Sequence, residues 1–66
     1  MTHPVREELI KVLTEIGKRY PDWRLGQTIA NFAFLARGEA VESIWDVEDE
    51  ELLKAMVDNL VKNPRQ

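Results

Sequence analysis

Three segments of this chain repeat apolar residues at spacings of three and four, the period of an amphipathic helix. They cover about residues 4–20, 23–37 and 48–62. No segment shows the alternation of apolar and polar residues that is typical of a half-buried strand. The sequence therefore predicts an all-α protein, a small three-helix bundle with helices at about 4–20, 23–37 and 48–62.

The length of the chain limits how much core these helices can form. With 66 residues we expect a single helical domain, 1–66, and a chain of this size buries only about 60% of the surface that its unfolded form exposes. It has no cysteine, so neither a disulfide nor a thiolate metal site can add stability. Helix packing within the chain, or association with another chain, must supply it.

The charge and hydropathy of the chain disfavour several kinds of partner. The formal net charge is −3 and the isoelectric point is about 5.0, so the long-range field repels nucleic acid and anionic lipid. No apolar run approaches the roughly 18 residues of a membrane span, and the N-terminus lacks the features of a signal peptide. We expect a cytoplasmic protein with no membrane partner and with nucleic acid unlikely as a partner.

The inventory of catalytic and metal-binding side chains is short. His3 is the only histidine, so one chain cannot assemble a histidine acid–base pair, a catalytic triad or a zinc site with two histidines. The acidic run 48–51 falls in the first turn of the third predicted helix, where the helix dipole favours negative charge. It lacks the alternating ligands and central glycine of a calcium loop. The sequence predicts no enzyme activity, no cofactor and no metal.

The ends of the predicted helices carry recognisable signals. Asp22 is a good N-cap for the second helix, and Gly38 supplies a left-handed residue just after its end. For the third helix we favour Glu48 as the N-cap, with Glu51 at the third helical position, although Asp46 is the better capping residue.

The second helix is apolar on more than one side. Its main apolar face is Leu25, Ile29, Phe32 and Ala36. A strip of small residues lies beside that face: Gly26, Ala30 and Ala33. Trp23 and Phe34 lie off the main face. We interpret Gly26, and Gly17 in the first helix, as positions where another helix approaches closely.

A polar stripe lies on the side of the second helix opposite its main apolar face. It consists of Arg24, Gln27, Thr28 and Asn31. In one interpretation Gln27 and Asn31 bond to the backbone of the segment 38–47 and fix its path. In another interpretation the stripe reads bases, because Arg, Gln and Asn pair bidentately with base edges.

The segment 38–47 is long for a connection between bundle helices, so it should be anchored. Ile44 and Trp45 are the expected anchors, covering one end of the bundle, although Trp45 could instead stack on a ligand. A short helical turn over residues 39–43 is also compatible with the sequence.

The stretches YPDWRLGQTIAN and IWDVEDEELL together resemble those of a group of small uncharacterised bacterial and phage proteins. That group has a Tyr-Pro-Asp-x-Arg-(Leu/Phe)-Gly-Gln segment and a later acidic helix start. The resemblance spans about residues 20–53, and its most specific part is Arg24, Gly26 and Gln27. The resemblance implies a bacterial origin and no particular activity. Glu48 stands where the group more often has Ser or Thr.

Two classes of function remain. The first is a protein–protein interaction module, self-associating as a homodimer through the small-residue strip or docking on a larger partner. Its candidate interaction residues are Trp23, Arg24, Gly26, Gln27, Ala30, Asn31, Ala33 and Phe34. In a competing arrangement the strip packs on Gly17 of the same chain and leaves a monomer. The second class is a helix-turn-helix-like DNA-binding protein that reads bases with the second helix.

Overall fold

The computed structural model describes residues 4–62, which form four helices. They are α1 (Pro4–Arg19), α2 (Leu25–Arg37), α3 (Glu42–Asp46) and α4 (Asp49–Lys62). No strand occurs among these residues, so the prediction of an all-α bundle with three long helices is confirmed. The short helix α3 lies in the long connection, overlapping the turn predicted at 39–43. No helix in this range is both long enough and apolar enough to cross a membrane.

Three pairs of side chains show how the long helices run relative to one another. They are Arg6 with Asp49 at 2.7 Å, Tyr20 with Asn59 at 3.2 Å, and Arg37 with Glu51 at 3.0 Å. The first two pairs join start to start and end to end, so α1 and α4 are parallel. The third joins the end of α2 to the start of α4, so these two helices are antiparallel.

The core lies where α4 meets α1 and α2. Its buried members are Leu9, Val12, Ile16, Phe32, Leu52, Ala55 and Met56. Both α1 and α2 pack more extensively against α4 than against each other. The predicted close approach at Gly17 is wrong, because no atom of a neighbouring element lies within 4 Å of a Cβ built there. The second helix therefore does not cross the first at this glycine.

The second helix begins two residues later than predicted. The prediction of Asp22 as its N-cap is wrong, because Arg24 holds that position. Residues 20–23 form a turn instead, in which the N–H of Trp23 donates to the carbonyl of Tyr20 at 3.1 Å. The rings of the same two residues stack with their centroids 4.2 Å apart. This turn keeps Trp23 outside the helix.

Helices α2 and α4 begin with the same contact from their third residue. Oε1 of Gln27 accepts the N–H of Arg24, and Oε1 of Glu51 accepts the N–H of Glu48, both at 2.8 Å. Each contact is the half of a capping box that satisfies the N-cap backbone donor. At α2 the other half is absent, since an arginine side chain has no acceptor. The prediction of Glu48 rather than Asp46 as N-cap is confirmed.

Gly38 ends α2 in a conformation that favours glycine. Its N–H donates to the carbonyl of Phe34 at 2.7 Å, and its φ and ψ are 110° and 163°. The positive φ confirms the predicted need for glycine, but this ψ is extended rather than left-handed helical. The chain thus leaves α2 in an extended direction, and the Gly38 carbonyl then accepts the hydroxyl of Ser43 at 2.8 Å. This contact positions α3.

The cap at α4 makes stability depend on pH. The N–H of Glu48, followed by the guanidinium of Arg37, lowers the pKa of the Glu51 carboxyl below its ordinary value of 4.5. Such a carboxyl stabilises the fold above pH 4.5, and this contribution is lost as the pH falls through the lower folded-state pKa. We expect Glu51→Gln to lower the urea midpoint at pH 7 and to flatten its decline below pH 4.5, because the amide keeps an acceptor but no charge.

A matched control for this prediction is Glu50→Gln, which removes a neighbouring exposed carboxylate that forms no ion pair with residues 4–62. Urea unfolding, followed by circular dichroism at pH 7 and at several lower pH values, gives a curve of urea midpoint against pH for the wild type and for each of the two variants. Wild-type and Glu51→Gln curves that stay parallel as the pH falls would contradict the role assigned to Glu51.

Candidate interaction surfaces

Helix α2 turns most of its predicted apolar face toward the core, but the first residue of that face is exposed and Thr28 is buried beside it. Phe32 is 2% exposed and Ala33 is fully buried, but Leu25 is 66% exposed. The predicted face that included Leu25 is therefore partly wrong. Thr28 takes a place in the interior, being 3% exposed. The reason is positional, since Leu25 is the first residue of α2 and Thr28, one turn further along, faces the other helices.

The predicted polar stripe is not a continuous exposed surface. Thr28 is buried, and its hydroxyl donates to the carbonyl of Arg24 at 3.3 Å. Gln27 caps the start of its own helix instead of bonding to the segment 38–47, so that interpretation of Gln27 is wrong. The side chains of Arg24 and Asn31 are exposed and make no hydrogen bond with residues 4–62, so the interpretation that Asn31 bonds to the segment 38–47 is also wrong. The base-reading hypothesis stays a prediction, with two of its four side chains already engaged within the chain.

The small-residue strip is divided between the core and the surface. Ala33 is buried within its own chain, and Ala30 is half-buried. Gly26 is exposed, and a Cβ built on it meets no atom within 4 Å. The interpretation of Gly26 as a close-approach position within the chain is therefore wrong. Of the strip, Gly26 and the outer side of Ala30 remain accessible to a second chain.

The two aromatic residues placed off the main face are both partly covered by the chain itself. Trp23 is half-buried against the core, stacked on Tyr20 and tilted against Phe32 with ring centroids 6.4 Å apart. Phe34 is also half-buried. These rings contribute to the packing of the domain and present only part of their surface to solvent.

A groove of about 680 Å³ lies between the second half of α2 and α4. Its walls include the apolar side chains of Leu35, Ala36 and Ala55. The polar groups at its edge are largely engaged with one another or with the rest of the chain: Arg37 with Glu51, Lys54 with Asp58, and Tyr20 with Asn59. With few polar groups left to orient a ligand, the groove has little of the chemistry that specific ligand pockets show.

Helix α3 turns Ser43 inward and Trp45 outward. Ser43 is buried, and its hydroxyl donates to the carbonyl of Gly38. Since each helical residue advances by about 100°, Trp45 lies nearly opposite to Ser43, and it is 73% exposed. The prediction that Trp45 covers the end of the bundle is wrong, because the Ser43 contact fixes the rotation of α3. Ile44 alone of the two expected anchors is half-buried.

Val41 extends the surface around Trp45. It precedes Trp45 by four residues, which places it one turn away on the same side, and it is 61% exposed. Glu42 and Asp46 form a second exposed row beside this apolar row. We call Val41, Glu42, Trp45 and Asp46 the α3 face. The spacing of Val41 and Trp45, with a serine between them, was a signal in the sequence that could have indicated it.

The acidic residues near α3 show no arrangement suited to a metal. No group of three or more histidine or acidic side chains within residues 4–62 is placed to hold an ion. His3 lies outside the described residues.

Comparisons of the chain with protein-family models, with curated proteins and with solved structures find no match. The resemblance to a bacterial and phage group therefore stays a prediction. A function therefore has to be inferred from the geometry and the charge of the protein's own surface.

Proposed function

We propose that this chain is a protein–protein interaction module. The observation that carries the proposal is the set of large apolar side chains exposed on all four helices and just before α3: Ile10, Leu25, Leu35, Val41, Trp45, Val57 and Val61. Single exposed aliphatic residues are common on the surfaces of soluble proteins and need no explanation. An exposed tryptophan is more informative, because tryptophan is among the residues most enriched at the energetic centres of protein interfaces. A largely exposed Trp45 next to an exposed valine is a surface that a partner would bury. The proposal includes a cytoplasmic location, which rests on the sequence alone.

Affinity capture from the native host with matched surface variants tests this proposal. One exposed apolar residue is replaced on each helix: Ile10→Ser, Leu35→Ser, Trp45→Ser and Val61→Ser. Lys11→Ala, an exposed polar change on α1, is the control. We expect mass spectrometry to find a partner that the wild type and the control retain and that at least one apolar variant loses. An identical set of captured proteins for all six baits would contradict the proposal.

Self-association is the form of this proposal that the sequence favours. Since Ala33 is buried in its own chain, a homodimer on this side of α2 would use Gly26 and the exposed part of Ala30. Light scattering on the purified protein at high micromolar concentration decides the point. A mass of twice 7.7 kDa would support the homodimer, and a mass of 7.7 kDa would leave only docking on another protein.

A further inference from the structure

The α3 face lies within the most acidic part of the chain. Residues 39–51 contain seven carboxylates and no Lys or Arg, while the other 53 residues contain nine basic and five acidic side chains. The charge of the protein is therefore strongly asymmetric, although its net value is only −3. The exposed apolar row of α3, Val41 and Trp45, lies in this negatively charged segment.

Most of these carboxylates have no ion-pair partner. Arg6 pairs with Asp49 at 2.7 Å, and Arg37 pairs with Glu51 at 3.0 Å. The other five form no ion pair within the described residues: Glu39, Glu42, Asp46, Glu48 and Glu50. Arg37 also lies within electrostatic reach of Asp46 and Glu48, and its pKa is raised, mainly by Glu51. Two arginines thus face seven carboxylates, and the excess negative charge is exposed.

We propose that the α3 face docks a basic segment of a partner protein, in which an apolar side chain covers Trp45 and Val41 and flanking Lys or Arg residues meet the carboxylates. This inference rests on the proposed function and specifies its surface and its partner. On α3 the apolar row and the Glu42–Asp46 row run side by side, so a segment crossing the helix meets both. Burial of the apolar row supplies affinity, and the carboxylates select for positive charge.

The same charges disfavour the other occupants of this face. A second copy related by two-fold symmetry would bring two acidic α3 faces together, and like charges directly opposed are repulsive. Nucleic acid and anionic lipid carry the wrong sign. A basic protein segment is the occupant whose chemistry complements the surface.

The test selects binding peptides from a display library of random short peptides, using the full-length protein as bait. We expect the recovered peptides to be enriched in Lys and Arg and to share an aromatic or aliphatic residue. Fluorescence anisotropy then measures their affinity for variants. Trp45→Ala should weaken binding by about tenfold or more, because truncating a central aromatic contact has effects of that size. The double variant Glu42→Gln, Asp46→Asn should also weaken peptide binding, and the loss of affinity relative to the wild type should be larger at low salt than at high salt.

Matched controls come from elsewhere on the surface. Leu35→Ala shortens another largely exposed apolar side chain, on α2, and Glu7→Gln with Glu8→Gln removes two exposed carboxylates from α1. Both controls should bind the peptides as the wild type does. Since Trp45 is largely exposed, its variant should keep the wild-type circular dichroism spectrum, and this is measured alongside.

Several results would overturn the inference. They are the recovery of no binding peptide, the recovery of peptides without an excess of basic residues, and equal affinity for the wild type and Trp45→Ala. Self-association that depends on Trp45 would assign the α3 face to a second copy and would also overturn it. If host capture is lost only with the Ile10, Leu35 or Val61 variants, the interaction module stands and this inference fails. If capture is lost with none of them, the proposed function itself fails.

Discussion

Phe32→Ala is expected to destabilise the domain by about 3–5 kcal/mol, the usual cost of truncating a buried phenylalanine. Phe32 is the only α2 side chain in the buried cluster shared with α1 and α4, and it also contacts the ring of Trp23. A single core in a domain of this size rarely supplies more than about 3–5 kcal/mol in total. The variant should therefore be largely unfolded at room temperature, with most of its helical circular dichroism lost.

Leu35→Ala is the matched control, since it shortens an apolar side chain three residues further along the same helix. Leu35 is largely exposed, so its loss should change the free energy of unfolding by no more than about 0.5 kcal/mol. Urea unfolding of both variants measures the difference. If Phe32→Ala were as stable as Leu35→Ala, the orientation of α2 described above would be wrong. A large loss with Leu35→Ala would instead indicate that a second chain covers this position in solution.

The helices themselves could be predicted from the sequence because each relies on a local signal. The spacing of apolar residues by three and four predicts the bounds of α1 and α4 to within one residue at each end. Glu51, at the third helical position of α4, identifies Glu48 as the N-cap. These features depend on residues within one or two turns of one another. The start of α2 was missed because the aromatic stack of Tyr20 and Trp23 outweighs the capping preference of Asp22.

The burial of individual α2 residues could not be fully predicted by the same means. Apolar side chains occur on almost every side of this helix, so its sequence is compatible with several rotations about its axis. Contacts with α4 select one of them, and those contacts join residues at least twelve positions apart in sequence. This rotation buries Thr28, which no local pattern indicates. Leu25 lies on the same side of the helix as Phe32 and is exposed because it is the first residue of α2.

The exposure of Trp45 was missed for a related reason. A tryptophan in a long connection is more often covered than exposed, and the sequence alone gives no reason to expect otherwise at Trp45. The hydroxyl of Ser43, bonded to the carbonyl of Gly38 five residues earlier, decides the rotation of α3 instead. This hydrogen bond depends on the extended backbone conformation at Gly38. The sequence indicates that α2 ends at Gly38, but it does not indicate the direction in which the chain leaves the helix.

Gly38→Ala and Gly17→Ala are expected to change stability in opposite directions. Gly38 has φ of 110° with an extended ψ, a region in which a Cβ is strained by about 1–3 kcal/mol. Its carbonyl also accepts the hydroxyl of Ser43, so any shift of the backbone weakens the anchor of α3. We expect Gly38→Ala to lower the free energy of unfolding by about 1–3 kcal/mol, and to make the segment around α3 more susceptible to limited proteolysis.

Gly17 provides the matched change at a position without strain. It lies inside α1, its φ is not positive, and a Cβ added there meets no atom of a neighbouring element within 4 Å. Alanine should therefore stabilise the helix, by about 0.5–1 kcal/mol, through its higher helix propensity. Urea unfolding of the wild type and the two variants at one protein concentration measures both effects. If Gly17→Ala destabilised the protein, a second chain would have to lie against α1 at this glycine, because within residues 4–62 no other element is close enough to clash. If Gly38→Ala were neutral, the backbone at the end of α2 would have to relax to a negative φ, which would displace the Gly38 carbonyl from the Ser43 hydroxyl.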